Sequence, residues 1–248
     1  MPKNNKSSLL LGLCLLITGV MVVPMLASCG KSGVNATNAN ARLMMVNVSP
    51  DIQPYNLYAR YIKQGTNSYS YPNAYAYFLV NTTDLPLQIR TAQTINGVNP
   101  TNLLTLPDTL KPNTPYTWFV TGLRADGSLA SILTVDTGSM PAIGRGKVRF
   151  VNVSPANLKL NLALNDTLAF KSVAYKSITS FVEVTAGSYN FNIAETGAPN
   201  TVLAPITNFN VLDGKLYTVY FYGLSNTSDT AKYGANILLN SLPAGTKY

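Results

Sequence analysis

Ten carboxylates, two cysteines and no histidine are what this 248-residue sequence brings to catalysis or metal binding. Without histidine there is no Ser-His-Asp triad, no Cys-His pair and no imidazole-ligated metal. The acids run singly from Asp51 to Asp229, and none opens a D-x-D-x-D-G calcium loop. A carboxylate pair meeting only in space is the catalytic route left open, as glycoside hydrolysis uses. The spacing gives no sign of one, so the expectation is no catalytic residue, no metal and no cofactor.

One residue does sit in a distinctive setting. Cys29 closes the stretch MPKNNKSSLLLGLCLLITGVMVVPMLASCG, in which Lys3 and Lys6 precede an apolar run from Leu9 to Met25. A spanning helix needs about 20 apolar residues, which this run nearly supplies. Its end decides otherwise: Leu26-Ala27-Ser28-Cys29-Gly30 resembles a bacterial lipobox. The resemblance implies a signal peptide over residues 1–28, cleavage before Cys29, a diacylglycerol on its sulfur and acylation of the new amine. Cys14 leaves with the signal peptide, so the mature chain keeps one cysteine and no disulfide framework. Each buried acyl methylene adds about 0.8 kcal/mol of membrane affinity, so several chains anchor the protein firmly. Gly30 stands where an aspartate is associated with inner-membrane retention, which implies the outer membrane; its cell-surface and periplasmic faces both stay open. Residues 29–41 are small and polar and are expected to form a lipidated, flexible tether.

The rest of the composition suits a β-rich extracytoplasmic protein. Hydrophobic residues make up 46% of the chain, enough for real cores, and charged ones only 11%. The formal net charge is +8, with its densest patch at Arg145, Lys147 and Arg149. Period-two spacing puts these three on one face of a strand, read here as a solvated strand start. Nucleic acid is not an expected partner, because no long basic stripe interleaves with stacking aromatics.

The element that organises the chain is VNVSP, found at Val46–Pro50 and again at Val151–Pro155. Its flanks match too. RLMMVNVSPDIQPYNLYAR lies against KVRFVNVSPANLKLNLALN, SYSYPNAYAYFLVNTTDLPLQI against SVAYKSITSFVEVTAGSYNFNI, and LKPNTPYTWFVTGL against LDGKLYTVYFYGL. The chain is therefore read as two copies of one domain, 42–139 and 147–248, joined by a Gly/Pro-rich linker at 140–146. Each copy shows short alternating runs, such as Tyr189, Phe191 and Ile193 between Asn190 and Asn192, punctuated by turns such as Asp213-Gly214. No convincing helix follows the signal segment. The fold class is all-β, two tandem immunoglobulin-like antiparallel β-sandwich domains, and VNVSP reads as a first strand closed by a proline.

These residues are similar to the bacterial domain of unknown function 4397, best at Val148 to Pro155, Phe181 to Tyr189 and Asp213 to Val219. The first copy departs from the pattern where Thr82-Thr83 replaces Ala186-Gly187. The resemblance spans Arg42 to about Pro243 and implies an immunoglobulin-like fold on secreted or anchored proteins. It supplies no established activity and no functional residues.

Function is then sought where the copies differ. Tyr58, Tyr69 and Tyr75 face Ala163, Val173 and Thr179 in the second copy, and Tyr61 lies where the first copy runs longer. An excess of tyrosine in one copy would make an aromatic platform for a glycan or for an envelope or host protein, since aromatic faces give wide contact at low entropic cost. The competing reading is β propensity and half-burial. Tyr71, Tyr77 and Tyr116, matched by Tyr175, Phe181 and Tyr217, are expected in the core or at corners, and Trp118 in the core. Asp-Thr-aliphatic triplets at Thr109, Thr167 and Thr230 resemble an O-glycosylation signal of some gram-negative envelopes. The functional expectation is a non-catalytic structural or adhesive lipoprotein, with polysaccharide capture through the extra tyrosines as the alternative; its membrane partner is reached through the lipid.

Overall fold

The computed structural model describes residues 39–92, 99–106, 109–225 and 230–240, and no helix occurs among them. The expected signal peptide (1–28), Cys29 and most of the expected tether lie outside the described residues.

The first repeat contributes β1 (Asn40–Asn47), β2 (Tyr55–Ala59), β3 (Ile62–Lys63), β4 (Asn73–Ala74), β5 (Phe78–Asn81), β6 (Leu87–Thr91), β7 (Asn102–Thr105), β8 (Pro115–Thr121) and β9 (Ala130–Val135). The second contributes β10 (Arg145–Asn152), β11 (Leu160–Leu164), β12 (Thr167–Val173), β13 (Val182–Thr185), β14 (Gly187–Glu195), β15 (Val202–Val211), β16 (Leu216–Tyr222) and β17 (Gly234–Leu239). Each repeat is two sheets face to face. In the first, β4-β1-β8-β9, with β5 also on β1, packs on β3-β2-β6-β7; in the second, β13-β10-β16-β17 packs on β12-β11-β14-β15. Alternation puts Leu43, Met45, Leu57, Ile89 and Trp118 into the first core and Phe150, Leu162, Phe191 and Val219 into the second.

The sandwiches depart from a purely antiparallel plan at one place per repeat. β1 runs parallel to β8, with Val46 opposite Phe119, and β10 runs parallel to β16, with Val151 opposite Tyr220. A parallel pair needs a long connection, and here nearly the whole repeat lies between the two strands. Strand starts also move: β1 begins at Asn40, inside the stretch read as tether, and β10 at Arg145, inside the stretch read as linker. Arg145 and Gly146 are drawn into the sheet by pairing with Thr185 and Val184.

A third core lies between the repeats. The outer faces of the β1/β8/β9 and β10/β16/β17 sheets bury Met44, Val46, Val48, Phe119 and Ile132 against Val151, Val153, Tyr220 and Leu238. β1 and β10 are thus buried on both faces. Only one of those faces belongs to the strand's own sandwich.

Candidate functional site

The first four residues of VNVSP all have structural partners in both copies. Val46, Val48, Val151 and Val153 fill the core between the repeats. The intervening asparagines point inward and tie the strand to neighbouring chain: Asn47 Nδ2 donates to the Tyr69 carbonyl (3.1 Å), and Asn152 Nδ2 to the Leu158 and Val173 carbonyls (2.8 and 3.1 Å). Their Oδ1 atoms accept from the backbone N–H groups of Ser49 and Ser154. The serine hydroxyls in turn donate to the carbonyls of Gly122 (2.8 Å) and Gly223 (2.5 Å). Both glycines have φ in the left-handed region, +80° and +96°, and a Cβ on either would lie 2.2 Å from a backbone oxygen, that of Ser128 or Lys232. Only glycine fits there.

The contact between repeats is nearly two-fold. The equivalent rings of Phe119 and Tyr220 meet at 5.4 Å. Tyr71 lies edge-on to Tyr222 at 6.2 Å, and its counterpart Tyr175 reaches Thr121, which is the counterpart of Tyr222. Thr121 Oγ1 also donates to the Val153 carbonyl (2.5 Å). These reciprocal contacts are what a self-complementary interface produces. Burial and the neighbouring Tyr222 push the Tyr71 hydroxyl up to about 12.

The symmetry breaks at one polar cluster. Arg149 stands where the first copy has Met44, and Asp136 where the second has Asn240. Arg149 Nη2 pairs with Asp136 Oδ1 across the junction, Nη1 donates to the Val135 carbonyl (2.8 Å) and Nε to Thr218 Oγ1 (2.8 Å). Asp136 also accepts from Thr117 (2.6 Å), Thr134 (2.7 Å) and Tyr77 (2.6 Å). Burial lowers the Arg149 guanidinium from its ordinary range while Asp136 opposes the shift; burial and Asp136 together push the Tyr77 hydroxyl up. The reading of Arg145, Lys147 and Arg149 as a solvated face is thereby corrected. Arg145 is exposed, but Lys147 and Arg149 are buried because the other repeat covers that face.

The three extra tyrosines do not form an exposed platform. Tyr69 is 3% exposed and stacks on Tyr55 (5.5 Å) while Tyr75 meets its edge (4.8 Å). Tyr75 packs against the same core, and its hydroxyl donates to the Ser68 carbonyl (3.1 Å) and accepts from Ser70 N–H (2.9 Å). Both rings pack onto the first core; Val173, the counterpart of Tyr69, likewise lies in the second core, and the counterpart of Tyr75 is Thr179. Tyr58 is on the outer face but only 9% exposed, because the Arg90 guanidinium lies 4.9 Å from its ring. The same guanidinium is 5.3 Å from the ring of Tyr61, which is 64% exposed. Arg90 is the residue that the sequence comparison passes over. It faces Ala194 in the second copy, the same kind of mismatch that singles out the tyrosines.

Of the matched aromatics, Tyr116 and Tyr217 sit at corners as expected, whereas Tyr71 and Tyr175 lie half-buried at the junction between the repeats and Tyr77 packs against its core. Tyr116 and Tyr217 accept from backbone N–H groups five residues upstream, at Lys111 and Leu212, the immunoglobulin tyrosine-corner arrangement. Trp118 is fully buried. Several carboxylates brace loops: Asp51 accepts from the N–H groups of Arg124 and Ala125, and Asp213 from those of Gly144 and Arg145. Among the described residues no group of three acids or cysteines is placed to hold a metal. Thr109, Thr167 and Thr230 are all exposed, while Asp108 and Asp229 lie outside the described residues, as does Cys29.

Comparison with known proteins agrees with this architecture. A family model described as a domain of unknown function, DUF4397, matches residues 41–163 and 147–234. The chain belongs to the DUF4397 family. The first DUF4397 match runs from β1 into β11 and the second from β10 to the first residue of β17, so VNVSP of the second repeat lies in both. No curated protein matches the chain.

Proposed function

We propose that this DUF4397 protein is a cell-envelope lipoprotein, anchored at the outer membrane through Cys29, that acts as a non-catalytic structural or adhesive module. The observation that carries the reading is what the two copies share. Their matched residues are spent on architecture: VNVSP, Gly122 and Gly223, Tyr116 and Tyr217 all bind the chain to itself. The two sandwiches share a buried core, and the polar sequence from Lys31 to Ala41 suits a tether between them and a membrane. The lipobox-like Leu26-Ala27-Ser28-Cys29 supports the anchor, and the lack of histidine supports a non-catalytic role. O-glycosylation at Thr109, Thr167 and Thr230 belongs to the same reading, supported by their exposure.

Cys29→Ala tests the anchor. The variant is expected to lose labelling by a radiolabelled fatty acid and to leave the membrane fraction. Retention of both would mean an uncleaved span. Protease treatment of intact cells distinguishes the two faces of the outer membrane.

A further inference from the structure

We propose that the outer face of the β3-β2-β6-β7 sheet binds a carboxylate-bearing saccharide, with Arg90 pairing the carboxylate and Tyr61 stacking on the sugar ring. The site goes beyond the scaffold reading and does not depend on the anchor.

Arg90 is a cation without an acid. No ion pair involves it among the described residues, only its Nη2 donates to a described partner (Gln88 Oε1, 2.6 Å), and its Nε is shielded from solvent without a partner. The shielded Nε cannot meet an incoming ligand, so the donors left for a carboxylate are the terminal Nη1 and Nη2 hydrogens that Gln88 does not take, which can bind one through two parallel N–H bonds. Tyr58 beneath and Tyr61 beside it fix its plane, so little side-chain entropy is lost on binding.

Tyr61 supplies the second component. Arg60 and Tyr61 form the two-residue turn between β2 and β3 with φ of 48° and 67°. The second copy puts Asn165 and Asp166 in that turn, residue types that tolerate the left-handed region. The first copy instead keeps a large ring in a strained turn, 64% exposed, alongside an unpaired cation. Strain retained where the fold has a cheaper solution points to use of the side chain. The second repeat has Ala163 and Ala194 where the first has Tyr58 and Arg90, so the shared fold needs none of this cluster. A sugar suits it better than a peptide strand, because β3 is only two residues long and offers little edge for backbone pairing.

The test uses the detergent-solubilised full chain and calorimetric titration with oligogalacturonate. The methyl-esterified oligomer controls for charge and oligoglutamate for sugar. Oligogalacturonate is expected to bind, with the ester and oligoglutamate each weaker by about tenfold or more. Arg90→Gln and Tyr61→Asn are each expected to weaken binding by a similar factor at unchanged melting temperature; asparagine accepts the turn's φ, so the second variant stands even if the first unfolds. No binding by the native chain, undiminished binding in the folded variants, or oligoglutamate binding as tightly as the sugar acid would each overturn the proposal. None of these results bears on the anchor or on the scaffold role.

Discussion

Arg149 and Asp136 show how two residues turn a nearly symmetric contact into one with a direction. Their counterparts Met44 and Asn240 keep the same places uncharged. Each member of the pair is therefore tolerable only with the other. Arg149→Met should leave Asp136 buried and unpaired and cost about 3–5 kcal/mol, the usual penalty for removing one partner of a buried pair. Adding Asp136→Asn should restore most of that loss, since each replacement is the residue the other repeat uses. Urea denaturation of the single and double variants reads this directly. A double variant no more stable than the single would place the cost in the packing around the introduced methionine rather than in the stranded charge.

At the scale of strands, VNVSP acts as a clasp between the first strand of a repeat and the loop after its penultimate strand. The serine of the motif holds the carbonyl of a glycine over which the returning chain passes closely. Gly223→Ala combines a left-handed φ with a Cβ 2.2 Å from the Lys232 oxygen, whereas Gly214→Ala carries a left-handed φ (+71°) with nothing within 4 Å. The conformational part alone costs about 1–2 kcal/mol for an L-residue. Gly214→Ala should lose about that much and Gly223→Ala clearly more, because backbone must also shift. Similar midpoints for the two in chemical denaturation would show that the clasp yields without cost.

For the whole molecule, the core between the repeats decides cooperativity. Val151, Val153, Tyr220 and Leu238 are covered only because the first repeat is present. The three aliphatic side chains among them, Val151, Val153 and Leu238, each contribute about 1.5–3 kcal/mol when buried. Separation of the sandwiches would expose all of them along with the Arg149–Asp136 pair. The two repeats are accordingly expected to unfold in a single thermal transition whose calorimetric and van't Hoff enthalpies agree. Two resolved transitions, one per repeat, would mean that the junction is weaker than its buried area suggests.

The amino-acid sequence by itself determined the tandem repeat, the all-β class, the alternation of Tyr189, Phe191 and Ile193 with Asn190 and Asn192, and the corner and core roles of Tyr116, Tyr217 and Trp118. Alternation and turn residues are local, so they survive in one dimension. What covers the second face of a strand is not local. Val46 and Val151, alternating with polar residues, carry the same pattern whether they meet solvent or another sheet. Only the tertiary structure decided that Arg149 is buried rather than solvated, that Tyr69 and Tyr75 pack onto a core rather than face outward, and that Arg90 lies between Tyr58 and Tyr61. Each of those outcomes depends on chain segments well separated in sequence, brought together by sheet pairing and packing rather than by spacing along the chain.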